Sequence, residues 1–221
     1  MKQTIKFTAF LFSIFFATSL SAQTKNLFTF NPVFTIEKEF SPELLVGADS
    51  EANYCNAANS KDVSIKPYIE YSPINHLIVA ADYRVKYEVA DGESAWQGRL
   101  GVSTTGEYNF NKLLLDCRLK YTLYTDDYDE DTKDQNFRTR FQAQYEINSI
   151  ELTPYVSYEW FYNIPRRLVD RDRWTLGIDK KISNRSYIGF EYQLEKNFNN
   201  DDPLDNDIAE HVFSIAYTFE L

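Results

Sequence analysis

Apolar and polar residues alternate one by one through most of this chain. A strict period of two admits one regular structure, the extended strand whose successive side chains point to opposite faces. Between residues 77 and 89 the odd positions are Leu77, Val79, Ala81, Tyr83, Val85, Tyr87 and Val89, while the even ones include Asp82, Arg84, Lys86 and Glu88. From 136 to 147 the odd set is Phe137, Thr139, Phe141, Ala143, Tyr145 and Ile147, opposed by Arg138, Arg140, Gln142, Gln144 and Glu146. The pattern recurs in eleven windows, at 28–40, 43–54, 63–72, 76–89, 96–110, 113–125, 136–147, 150–162, 173–182, 187–196 and 210–221. None of them carries apolar residues three and four apart, as a helix would need. The chain is therefore expected to be all-β.

The connections carry a second regularity. Short turns at 41–42, 73–75, 111–112, 148–149 and 183–186 alternate with longer loops at 55–62, 90–95, 126–135, 163–172 and 197–209. A meander with one trimmed and one elaborated end is the layout of a transmembrane barrel of the bacterial outer membrane. Several windows exceed the five or six residues usual for a soluble strand and suit a tilted membrane crossing of about 9 to 11 residues with an overhang. The aromatics support this. Trp96, Trp160 and Trp174 stand next to long loops on the apolar parity, and Phe40, Tyr71, Phe110 and Phe219 stand on it at the short-turn end. Two such belts match the preference of amphipathic rings for both membrane interfaces. The expected fold is an antiparallel up-and-down transmembrane β-barrel of about 12 strands, within a range of 10 to 12. Eleven windows conflict with the even count of single-chain bacterial barrels, and the favoured resolution is a twelfth short strand near residues 25–31.

The amino terminus reads as a secretory signal. Lys2 and Lys6 form a basic start, residues 7–17 an apolar stretch of 11, and Thr18, Ser19, Ser21 and Ala22 a small, polar end around Leu20. The stretch is too short to span a bilayer as a helix. Residues 1–22 are expected to be removed, leaving a barrel domain over 23–221. Cleavage takes the formal charge from -10 to -12 by removing Lys2 and Lys6, and an acidic chain is a poor partner for nucleic acid. Cys55 and Cys117 are read as unpaired thiols, one in a loop and one mid-strand. The mean hydropathy of -0.45 argues against a membrane helix. It does not argue against a barrel, where half of each strand faces a polar lumen.

With the apolar parity turned to lipid, the charged parity lines the interior. Lys66, Asp82, Arg84, Lys86, Arg99, Arg118, Lys120, Arg138, Arg140, Glu159, Asp179 and Glu191 are the candidate lumen residues. The bases cluster on the fourth to seventh windows. Glu37, Glu39, Asp49, Glu51, Glu159, Asp179, Glu191 and Glu195 come from the windows closing the circle. The turn lengths predict Lys66 opposite Asp82 and Arg138 opposite Glu159. Such an interior is either filled by ion pairs or a narrow pore for a small charged solute.

Candidate chemistry is sparse. Among two histidines, His76 lies beside a short turn, and His211 begins the last window on the lipid parity, with Ser214 on the opposite one. Asp127, Asp129 and Asp131 match the first ligand positions of a calcium loop, but Thr132 replaces the required Gly and Arg138 the bidentate Glu. No catalytic residue, metal site or cofactor is expected. An enzyme is the less favoured reading.

The segments LTPYVSYEWFYN (152–163), RWTLGIDKKISNRSYIGFEYQLEKNFN (173–199) and HVFSIAYTFEL (211–221), with the preceding NFRTRFQAQYEI, resemble the bacterial domain-of-unknown-function family numbered 2490. The resemblance spans residues 28–221. It implies an outer-membrane β-barrel of the kind common in Bacteroidetes-like bacteria, and it brings no activity and no catalytic residue. The last residues, Tyr217, Phe219 and Leu221, depart from a terminal Phe. The expected role is an outer-membrane barrel, structural or a narrow channel for small solutes, in contact with outer-membrane lipid and lipopolysaccharide and inserted by the barrel-assembly machinery. A lipid-modifying barrel enzyme and a secreted soluble β domain are the alternatives. Heat-modifiable migration and membrane fractionation separate barrel from soluble domain.

Overall fold

The computed structural model describes residues 25–55, 61–90, 93–125, 135–198 and 208–221. The expected signal segment at 1–22 and the acidic runs at 126–134 and 201–207 lie outside the described residues. Eleven strands follow one another: β1 (Lys25–Ser41), β2 (Leu44–Cys55), β3 (Lys61–Ile74), β4 (Leu77–Ala90), β5 (Glu93–Phe110), β6 (Leu113–Tyr124), β7 (Gln135–Tyr145), β8 (Leu152–Asn163), β9 (Leu168–Ser183), β10 (Ser186–Asn197) and β11 (Ile208–Glu220). Each pairs antiparallel with its chain neighbour, and β1 pairs with β11 to close the barrel.

That closing pair is parallel, running from Lys25↔Ile208 to Glu37↔Glu220. An odd number of up-and-down strands leaves the first and last pointing the same way. Eleven strands fall within the expected range of 10 to 12, and the expected wholly antiparallel layout is corrected by one parallel seam. Residues 25–31 are the start of β1 rather than a further strand. The reason is phase: Phe28, Phe30 and Phe34 are all exposed on one parity, so no turn interrupts the alternation between them.

Several connections differ from expectation. The β3–β4 turn occupies 75–76 rather than 73–75, with His76 left-handed at φ 73°. The β7–β8 turn widens to 146–151, with Glu151 at φ 53°. The loop expected at 163–172 shrinks to 164–167, because the alternation of Arg171, Arg173 and Thr175 with Asp172, Trp174 and Leu176 extends β9 upstream. Connections at the long-loop end are thus 56–60, 91–92, 125–134, 164–167 and 198–207. Cys55 ends β2 instead of lying in a loop; it and Cys117 are free thiols.

The polarity of the molecule is reversed relative to a water-soluble core. Among the described residues three hydrophobic side chains are buried, Phe161, Leu194 and Ala209, against 17 polar or charged ones. Phe, Ile, Val, Leu, Tyr and Trp side chains cover the outside.

Small residues let interior side chains lie flat across the wall. Gly47 sits between Tyr68 and Glu37 in the strand register, and the Tyr68 hydroxyl donates over it to Glu37 at 2.9 Å. Gly177 repeats the arrangement between Tyr155 and Glu191, with the hydroxyl donating at 2.7 Å. A Cβ at either glycine would strike the phenol ring. Gly177→Ala should therefore lower stability by about 1–3 kcal/mol through overpacking, read as the denaturant midpoint of the detergent-solubilised protein. Adding Tyr155→Ala should remove the clash. A loss from Gly177→Ala that is the same size in the Tyr155→Ala background would contradict the contact.

Candidate functional site

The polar parity of every strand converges on the interior, and the ion pairs show how. Several join strands that are not neighbours, which the concave face allows. Arg84 of β4 reaches over β3 to Glu51 of β2 at 2.6 Å, and Lys120 of β6 reaches over β5 to Asp82 of β4. Arg118 of β6 reaches over β7 to Glu159 of β8 at 3.0 Å. The Lys120–Asp82 pair crosses above Gly101, whose missing side chain makes the room.

Both pairs expected from turn lengths are displaced by two residues. Asp82 stands opposite Tyr68 rather than Lys66, and Lys66 bonds Asp49 across the β2–β3 ladder at 2.6 Å. Glu159 stands opposite Arg140 rather than Arg138. The later turn at 75–76 and the wider one at 146–151 set these registers. Arg138 faces Phe161 and still reaches Glu159 diagonally, at 2.8 Å. Of the other candidates, Arg140 pairs with Asp116 at 3.1 Å, Lys86 with Glu88 at 2.7 Å, and Arg99 lies against the Tyr124 ring. Glu191 accepts from Tyr155, and Asp179 covers Gly189.

The densest cluster is built around two carboxylates. Glu159 receives Arg118, Arg138 and, at 3.7 Å, Arg173. Glu195 receives Arg171 at 2.9 Å and also Arg173. Phe161 turns inward among them, with the guanidinium carbons of Arg171, Arg138 and Arg173 at 4.1, 4.5 and 5.2 Å from its ring centre. Stacking on a buried ring supports cations that share acceptors. Arg171, Arg173 and Phe161 were not among the sequence candidates. The arginines alternate with Asp172 and Trp174 in a stretch assigned mostly to a loop, and Phe161 is an aromatic on the polar parity, where period two gives no warning.

Within three of these pairs the carboxylate lies deeper than the base, whereas Glu88 is more exposed than Lys86. Side-chain exposure is 24% for Arg118 against 4% for Glu159, 24% for Arg140 against 5% for Asp116, and 29% for Arg171 against 8% for Glu195. In these three pairs the guanidinium is thus the more accessible partner. Nearer the short turns, Glu70 lies within electrostatic reach of Glu37, Asp49 and Glu107, and of Arg118. Asp179 and Glu191 are likewise neighbours.

A family model, described as a protein of unknown function, DUF2490, matches residues 33–205. The chain belongs to the DUF2490 family. No curated protein matches this DUF2490 chain in sequence. Among solved structures it is similar to an anion-selective porin from Comamonas acidovorans, at 14% identity over 77% of this chain and 55% of that one, with a TM-score of 0.38. It is also similar to a bacterial polysaccharide outer membrane secretin, at 12% identity over 81% of this chain and 63% of that one, TM-score 0.44. A third is the outer membrane channel DcaP of Acinetobacter baumannii, at 12% identity over 80% of this chain and 58% of that one, TM-score 0.35. The DUF2490 chain spans a little over half the length of the first, 55%.

On the outer face of the DUF2490 barrel, Trp96, Phe40, Phe110, Tyr71 and Trp174 are exposed, while Trp160 and Phe219 are partly covered. Trp160 packs on Phe141 at 5.5 Å and Tyr158 at 6.0 Å, and Tyr158 on Trp174 at 4.6 Å. His211 stacks on Phe28 and directs its ring nitrogens to the Tyr192 hydroxyl, at 2.8 Å, and to Asn26, at 3.3 Å. Ser214 is buried on the opposite parity. That separates it from the histidine through the barrel wall.

Removing a carboxylate that several buried bases share leaves them uncompensated, at a typical cost of about 3–5 kcal/mol. Glu159→Gln should therefore destabilise the barrel far more than Arg118→Gln, which leaves Glu159 with Arg138 and Arg173. Equal denaturant midpoints for the two variants would contradict the shared-acceptor arrangement.

Proposed function

We propose that this chain is a bacterial outer-membrane β-barrel whose interior is a narrow aqueous path for small solutes. One observation carries the reading: apolar and aromatic side chains are exposed all round the outside while the buried side chains are polar or charged. In water that arrangement would expose a continuous apolar surface far larger than a soluble monomer tolerates. In a bilayer it is the stable one, since a closed barrel satisfies every backbone group and lipid covers the apolar face. Strands of 11 to 18 residues are long enough to cross at a tilt. Export by a signal segment over residues 1–22 fits this location, as do lipopolysaccharide as neighbour and the barrel-assembly machinery as route.

The conducting part rests on the exposure of mid-barrel bases. Arg84, Lys66 and Arg118 keep 21%, 23% and 24% of their side-chain surface accessible inside a closed wall. A second reading, a mechanical barrel with a packed interior, draws on the near-complete burial of Glu159 and its arginine partner Arg138.

The short-turn end would face the periplasm and the longer connections the outside. Three measurements test the reading. The unboiled protein should migrate faster than the boiled one on a gel and float with outer-membrane lipid. An epitope placed between residues 199 and 207 should bind antibody on intact cells. In planar bilayers the purified protein should give unitary steps. Recovery in the soluble periplasm would refute the membrane reading, and a well-folded protein without current would leave the mechanical barrel.

A further inference from the structure

We propose that the arginine band of the interior, formed by Arg118, Arg138, Arg171 and Arg173, is a recognition site for small oxyanions. The proposal deepens the channel reading and rests on it for the solute's route. Four guanidinium groups share two carboxylates, Glu159 and Glu195. Glu191 lies within electrostatic reach of Arg173, and Asp116 within reach of Arg118, so the excess of donors rather than a net charge marks the cluster. Each guanidinium brings five N–H donors in a planar fork, so donors far exceed the four carboxylate oxygens. The Nε atoms of Arg118 and Arg138 are buried without an acceptor among the described residues, as are those of Arg84, Arg99 and Arg140 on the adjoining strands.

Position reinforces the count. Glu159 and Glu195 are sunk in the wall and Arg138 is buried beside them, whereas Arg118, Arg171 and Arg173 are more accessible, so an entering solute meets the donors of those three first. Forked donors fit phosphate and carboxylate oxygens two at a time, and low dielectric surroundings strengthen each contact. Of the acids facing the same interior, Glu37, Glu70, Glu107 and Asp179 lie toward the short turns, Glu191 is mid-strand, and Asp62 and Glu210 lie toward the longer connections. Phe161 is 2% exposed under its cations, so it holds the arginines in place and does not itself offer a ring to the solute.

Calorimetric titration of the detergent-solubilised full chain with inorganic phosphate, at constant ionic strength set by chloride, tests the site without requiring conduction. Saturable binding is expected. Arg118→Gln and Arg171→Gln should each weaken it about tenfold, the size of one charge-assisted hydrogen bond. Both variants should stay folded, because Glu159 retains Arg138 and Arg173 while Glu195 retains Arg173; heat-modifiable migration checks this. Lys38→Gln, on the outer face over the Phe40 ring, should leave binding unchanged. Absence of saturable binding by the native chain, or equal weakening in Lys38→Gln, overturns the proposal. Bilayer recordings separate the two levels. Phosphate binding without current removes the channel and keeps the site, whereas current with a cation preference and no phosphate binding keeps the channel and removes the site.

Discussion

The hydrogen-bonded closure of β1 on β11 is the constraint on which the rest depends. A sheet edge left open carries a row of unmatched backbone donors and acceptors, which neither a membrane nor a soluble monomer tolerates well. Here the seam runs from Lys25↔Ile208 to Glu37↔Glu220 and leaves the eleven-strand sheet without an edge. Closure also locks the phase. A slip of one residue at any ladder would send arginines outward and phenylalanines inward along a whole strand. Each strand's register therefore depends on all the others.

Closing the sheet confines the charges, and confinement dictates their pairing. Buried ions must find partners or neutralise, and a concave wall brings strands two apart within reach. That is why Arg84 finds Glu51, Lys120 finds Asp82 and Tyr155 finds Glu191 over an intervening strand. Small residues at the crossed position, Gly101 and Gly177, make these bridges sterically possible. The same confinement brings Arg118, Arg138 and Arg173 onto one carboxylate.

Much of the fold was legible along the chain because a wall with one apolar and one polar face writes itself as alternation. β4 and β7 can be read almost residue by residue from Leu77 and Phe137 onward. Turn geometry was less legible. Nothing in Pro73, Ile74, Asn75 and His76 states that the strand runs on through Ile74, and nothing in Asn148 and Ser149 announces a turn reaching Glu151. Each misplacement moved a register by two residues, which preserves the face and changes the partner. The inward side of Lys66 and Arg138 could thus be read, whereas their ladder partners could not. Phe161 was illegible for another reason: its place depends on three arginines from β7 and β9, and alternation treats an aromatic on the polar parity as noise.

The sequence by itself determined the all-β class and the outward and inward face of nearly every strand residue. These are local properties, carried by a period of two that each strand displays alone. Only the tertiary structure decided the strand count, the parallel seam, and which acid each base meets. Those depend on where β1 and β11 come together and on contacts over an intervening strand. No single stretch of chain contains that information, because the charges concerned become neighbours only when the barrel closes.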